Sequence, residues 1–168
     1  MLEIKELGLS QPGTDAKEII IAVSPAFGTG LTQSITDVPL ETILKELCAG
    51  IEEEGMNYRF VKVYNSTDLG IIASQGSKLA GSGICVAMQS RGTTVIHQRD
   101  LLPLDNLELF PQSPLIALDM YRTIGKNTAK YGKGEHPEPV EILNDYMVPS
   151  KFLIKSTLMH FKEGKMAN

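Results

Sequence analysis

Asp68, Gln89, Ser90, Arg91 and Asn106 are the side chains of this sequence best suited to gripping a polar ligand. A carboxylate accepts hydrogen bonds from amide N–H groups, a guanidinium donates to carbonyl or phosphate oxygens, and an Asn side chain does both. Asp68, Arg91 and Asn106 as a set suit a ligand rich in primary amides that also carries a phosphate. No nucleophile with a neighbouring base and no metal-type cluster stands with them, so they point to holding something large rather than transforming it. The competing reading is structural: Asp68 caps a helix and Arg91 is a solvated turn residue.

Other reactive types carry weaker signals. His97, His136 and His160 have no ligand-type partner at i+3 or i+4, which leaves zinc-type ligation without local support. His97 ends an apolar run and is expected to be a hydrogen-bonded structural residue. Gly28-Thr29-Gly30 follows a strand-like run, but the dinucleotide spacing fails at Gln33. Cys48 and Cys85 lie inside periodic apolar segments without CxxC spacing, as buried thiols in a reducing compartment would. Glu52, Glu53 and Glu54 close a predicted helix, where acid opposes the macrodipole and a solvated face is expected.

The elements that must position these residues follow from periodicity. Residues 18–24 (EIIIAVS) form a continuous apolar run ending at Pro25, the pattern of a strand buried on both faces. Residues 39–54 place Ile43, Leu44, Leu47 and Ile51 at helical spacing, with Gly55 as the stop. Residues 58–64 alternate as a second strand, and Ser66-Thr67-Asp68 supplies the start of a second helix. Residues 83–88 and 93–98 are a third and fourth strand. Four residues separate them, too few for anything but antiparallel neighbours. A helix is expected from Ser113 through Asn127, fading at Gly132, and another over residues 151–162. Residues 99–112 read as a long loop rich in polar residues and proline. The sum is a three-layer α/β/α fold with a mixed, mostly parallel sheet of about five strands, one of them antiparallel. That arrangement is Rossmann-like or anticodon-binding-domain-like. Asp68 and Arg91 then fall beyond the carboxyl ends of strands, where open α/β sheets bind ligands.

Composition bounds the function classes. At 168 residues, 42% hydrophobic and 21% charged, the chain is sized for one core. Residues 1–17 are expected to be a flexible N-terminal arm and residues 18–168 a single α/β domain. A formal net charge of -4 argues against a sequence-independent nucleic-acid binder. No apolar stretch approaches the roughly 18 residues of a membrane span, and no signal-type segment opens the chain.

Several phrases in one order carry a family resemblance: IIIAVSPAFG, AGIEEEG, LAGSGICVAMQSRGTTVIHQ, LLPLDNLELFPQSPL, YRTIGKN and LNDYM. Over residues 19–162 the chain resembles the medium (β) subunit of adenosylcobalamin-dependent diol and glycerol dehydratases. The resemblance implies a subunit without catalytic or metal-binding residues of its own. Its partners would be a large (β/α)8-barrel subunit, which holds substrate and a metal ion, and a small subunit, in a dimer of heterotrimers. It implies a radical dehydration of glycerol or 1,2-diols to aldehydes, with the cofactor shared between medium and large subunits and its own base still on cobalt.

Carried over by position, the resemblance implies cofactor contacts at Asp68, Arg91 (usually Lys in the family), Leu104 through its backbone, Asn106 and Ser156. Pro149 stands where the family pattern has a cofactor-contacting Arg. Either Lys151 compensates or affinity for the nucleotide tail is weaker. HQRDLLPL is closer to the glycerol-dehydratase version. The buried thiols point to a cytoplasmic protein. Some relatives carry an N-terminal extension that targets a bacterial microcompartment, and residues 1–17 are short for one. Two other readings stand beside it: a reactivating or assembly factor for a dehydratase, and an RNA-binding module of similar topology.

Overall fold

In the computed structural model, residues 4–110, 116–141 and 150–168 are described. Their elements run β1 (Glu18–Val23), α1 (Leu40–Glu53), β2 (Asn57–Lys62), α2 (Leu69–Leu79), β3 (Ile84–Met88), β4 (Thr94–Gln98), β5 (Glu108–Phe110), α3 (Leu118–Lys133) and α4 (Ser150–Met166). The sheet order is β2-β1-β3-β4-β5, with β1 parallel to both β2 and β3. β4 is antiparallel to β3 and to β5, so it alone runs against the other four strands.

The continuous apolar run of β1 has the physical cause anticipated for it: both faces of the strand are covered. Ile19, Ile21 and Val23 point into one cluster with Ile43, Leu47 and Ile51 of α1 and Tyr121 and Ile124 of α3. Ile20 and Ala22 point the other way, against Ile72 and Ala73 of α2. The result is three layers, helix–sheet–helix. Ile19, Ile20 and Ile21 are fully buried, and each such side chain contributes about 1.5–3 kcal/mol of transfer free energy.

α1 and α3 approach so closely that glycine is required at the contact. A Cβ on Gly50 would stand 2.1 Å from the Arg122 carbonyl oxygen, and one on Gly125 would stand 2.2 Å from that of Leu47. The acidic end of α1 is also explained here. Glu53 pairs with Arg122 (2.8 Å) and Lys126 (2.9 Å), and Glu54 with Lys133 (2.8 Å), all on α3. Two of the three acids expected on a solvated face therefore bridge two helices.

Two boundaries differ from the periodicity. β5 lies inside the segment read as a loop. Its three residues pair with β4 at Thr94, Val95 and Ile96, a strand too short to show alternation. α3 begins at Leu118 rather than in the 113–115 region, which lies outside the described residues, and it ends at the left-handed Gly134. α4 extends one turn beyond the expected 162.

The N-terminal arm is held along one edge of the domain. Arg59 bonds the Ser10 hydroxyl (2.5 Å), the Gln11 carbonyl (3.0 Å) and the Glu18 carboxylate (2.9 Å). No described helix is long and apolar enough to cross a membrane.

Candidate functional site

An open sheet with order 2-1-3 has its ligand crevice beyond the carboxyl ends of β1 and β3, because the chain leaves β1 toward one side of the sheet and reaches β3 on the other. Here the loop after β1 supplies Ser24 and Ala26, and the β3–β4 turn supplies Gln89, Ser90 and Arg91. α4 lies across both ends. Its inward positions Ser156, Met159 and Glu163 recur every three or four residues, as one helix face requires.

At the centre is a carboxylate that the sequence reading missed. Glu163 is 3% exposed. Its oxygens accept from the Ser24 hydroxyl (2.5 Å), the Ala26 N–H (2.8 Å), the Ser90 N–H (3.1 Å) and the Ser90 hydroxyl. Four donors, two of them backbone, answer the desolvation of a charge that would otherwise be costly. A Glu near the end of an amphipathic helix usually faces water. The signal was its spacing, i+4 from Met159 and i+7 from Ser156.

Beside Glu163, on the same face of α4, Ser156 begins a separate chain of hydrogen bonds. The Ser156 hydroxyl lies 2.9 Å from Arg91 Nη1, Arg91 Nε donates to Gln89 Oε1 (3.0 Å), and Gln89 Nε2 donates to the Thr67 carbonyl (2.7 Å). Arg91 is thus half-buried and oriented, not a solvated turn residue. Burial lowers its pKa, and the Glu163 carboxylate works against that shift. These two bonds use two of the five guanidinium N–H donors. Gln89, Arg91, Met159, His160 and Glu163 line a small cleft beside the chain.

Thr67 connects this chain to Asp68. Asp68 caps α2, with Oδ1 accepting from the Ile71 N–H (3.0 Å), and the residue remains exposed. The first turn of α2 touches the β4–β5 loop, since a Cβ on Gly70 would stand 2.3 Å from the Pro103 carbonyl oxygen. That loop carries Leu104, which is 86% exposed, and Asn106, also exposed. So Asp68, Arg91 and Ser156 are linked through Thr67 and Gln89, with the Leu104–Asn106 loop against the same end of α2. Pro149 lies outside the described residues, as does the side chain of Lys151.

The loop is tied from below by His97, which is fully buried. Its Nε2 is 3.1 Å from the Leu102 carbonyl oxygen and its Nδ1 is 3.2 Å from the Ser77 hydroxyl of α2. A carbonyl only accepts, so Nε2 carries a proton. His97 is the structural residue expected.

The Gly28-Thr29-Gly30 turn has no phosphate cradle. Gly28 N–H donates to Leu31 O (2.7 Å) and Thr29 N–H to Ala26 O (3.2 Å), so those backbone donors are already spent. Among the described residues no three His, Cys, Asp or Glu side chains converge as a metal site. Cys48 and Cys85 are free and buried. Burial pushes the Cys48 thiol up to about 11 and that of Cys85 higher still, so neither is an activated nucleophile.

A family model described as dehydratase medium subunit matches residues 24–138. Among solved structures, a glycerol dehydratase reactivase aligns with 77% of this chain and 99% of its own, at 15% identity and a TM-score of 0.59. A diol dehydratase-reactivating factor complexed with ADP and Mg2+ aligns with 80% of this chain and 99% of its own, at 19% identity and a TM-score of 0.52. At these identities the likeness is one of fold.

Proposed function

The chain belongs to the dehydratase medium subunit family, and from that premise we propose that it is the cofactor-holding, non-catalytic medium subunit of an adenosylcobalamin-dependent glycerol or propanediol dehydratase. Membership implies partner subunits in a dehydratase complex. The proposal adds that a large barrel subunit carries substrate, metal ion and chemistry, and that a small subunit completes a dimer of heterotrimers.

The observation that carries the reading is the chain Thr67–Gln89–Arg91–Ser156 along the carboxyl edge of the sheet, with Asp68 and the Leu104–Asn106 loop beside it. The donor set fits the cofactor's periphery. Primary amides need both acceptors and donors, and a phosphate needs a cation. Asp68, the Leu104 carbonyl and Asn106 supply acceptors, while Arg91, Ser156 and Asn106 supply donors. Each buried amide left unpaired costs about 1–3 kcal/mol, which is why a stiff sheet edge with preset polar groups is useful. When bound, adenosylcobalamin supplies a cobalt–carbon bond that breaks homolytically. The residues of this chain grip and orient the periphery, and no proton or substrate atom passes through them.

The outward face of α4 supports a partner there as well. Leu153, Ile154, Leu158 and Phe161 are each more than 60% exposed, a row that a large subunit would cover.

Reconstitution tests the reading. The purified chain is expected to form no aldehyde from glycerol or 1,2-propanediol, and the mixture with large and small subunits is expected to form it and to retain a corrinoid spectrum. A chain that dehydrates substrate unaided overturns the division of roles. A chain that leaves the large subunit during turnover would instead be a reactivating factor.

A further inference from the structure

In this topology the crevice beyond β1 and β3 is where a ligand's anionic group would sit. In this chain it holds the chain's own Glu163, gripped by the Ser24 and Ser90 hydroxyls and the Ala26 and Ser90 N–H groups. Glu163 is reached by α4, a helix whose opposite face is apolar and exposed at Leu153, Ile154, Leu158 and Phe161. Elsewhere the described part of α4 is held by Met159, 7% exposed, by Met166 packed beside Gly30, and by the Lys155–Asp37 ion pair (2.6 Å). The buried carboxylate, with four donors, is the anchor among these that reaches into the crevice.

We infer that Glu163 is a positioning residue: it latches α4 into the switch-point crevice and so sets the register that brings Ser156 onto Arg91. Two turns separate Glu163 from Ser156, so the two stand on one helix face about 10.5 Å apart along the axis. Rotation or sliding of α4 by one residue would carry Ser156 about 100° around the helix and off the guanidinium. Arg91 then loses one of the two partners that fix its plane. The latch also moves the ligand-binding surface outward: with the crevice filled from within, the grip falls to the rim formed by Asp68, Arg91 and Ser156, with the buried Gln89 bridging beneath it.

This inference rests on the proposed cofactor role only for its last step, so its test has two arms. The first is amide hydrogen exchange on the isolated chain. Glu163→Ala and Glu163→Gln are expected to speed exchange of α4 on the order of tenfold or more, while α1, α3 and β1 keep their protection. Gln is expected to fail because its NH2 would face the Ala26 or Ser90 N–H, two donors meeting. Should Glu163→Ala unfold the chain, the pair Ser24→Ala/Ser90→Ala removes two donors and keeps the carboxylate, and it is expected to speed α4 exchange in the same direction. Unchanged α4 exchange in these variants overturns the latch.

The second arm is cobalamin affinity in the reconstituted complex, with Arg91→Ala beside Glu163→Gln. Weaker binding in both is the expected result. Weaker binding in Arg91→Ala alone overturns the positioning role and leaves the proposed function standing. No change in either overturns the proposed function, and the latch is then decided by the exchange arm.

Discussion

The imidazole Nε2 of His97 lies 3.1 Å from the carbonyl oxygen of Leu102, and this contact joins the floor of the sheet to the loop that carries Leu104 and Asn106. The same ring meets Ser77 of α2 through Nδ1. One buried side chain thus fixes the loop relative to the helix that Asp68 caps. Replacing His97 by Ala should cost about 1–3 kcal/mol, because the buried Ser77 hydroxyl and the Leu102 carbonyl each lose a hydrogen-bond partner. Urea unfolding reads the stability, and hydrogen exchange should place the largest change in residues 99–106. A variant as stable as the parent would mean that water or another group replaces the ring.

Asp68 has two roles that different substitutions separate. Asp68→Ala removes the cap bond to Ile71 and is expected to destabilise α2 by about 1 kcal/mol. Asp68→Asn keeps the cap and removes the charge. Cobalamin binding by the assembled complex should weaken in both, while thermal unfolding should shift downward clearly only for Ala. Equal affinity of the parent and Asp68→Asn complexes would limit Asp68 to capping.

Much of this arrangement is legible in the sequence, for reasons that differ by element. β1 announces itself because Ile19, Ile20 and Ile21 are buried on alternating faces, and only a strand covered on both sides tolerates such a run. Asp68 is legible because capping is local chemistry between residues three apart. β5 is not: three residues between a proline-rich stretch and a masking polar context cannot display a period, and its pairing with β4 is a long-range event. Glu163 is hidden for the opposite reason. Its burial depends on Ser24 and Ser90, 139 and 73 residues away, and nothing local distinguishes it from a solvated helix acid. Gln89 stood out by type, but its bridge from Thr67 to Arg91 needed the fold.

The contact between α1 and α3 gives a prediction independent of any ligand. Gly50→Ala places a methyl 2.1 Å from the Arg122 carbonyl oxygen, so the helices must separate or Arg122 must shift away from Glu46 and Glu53. Overpacking of this kind costs about 1–3 kcal/mol, whereas helix propensity alone would favour Ala by about 1 kcal/mol. A lowered unfolding midpoint shows that packing wins. A raised midpoint shows that the contact is looser than its geometry.

Cys48 contributes, beside Cys85, to a loss of stability at alkaline pH. Burial raises its pKa from 9.0 to about 11 in the folded chain, so the folded state keeps the thiol protonated where the unfolded state releases the proton. The stability this contributes is fully present below about pH 9 and is lost as pH rises through about 11. Urea midpoints measured from pH 8 to 11 should fall, and Cys48→Ala should fall less steeply. Identical slopes would assign the alkaline loss to other groups.

The central claim is that the rim formed by Asp68, Arg91 and Ser156 grips the cofactor for chemistry done elsewhere. Cobalamin titration of the reconstituted complex, wild type against Asp68→Asn/Arg91→Ala, tests it most directly. The account predicts a dissociation constant raised on the order of tenfold to a hundredfold, with turnover at saturating cofactor retained. An unchanged dissociation constant would contradict it.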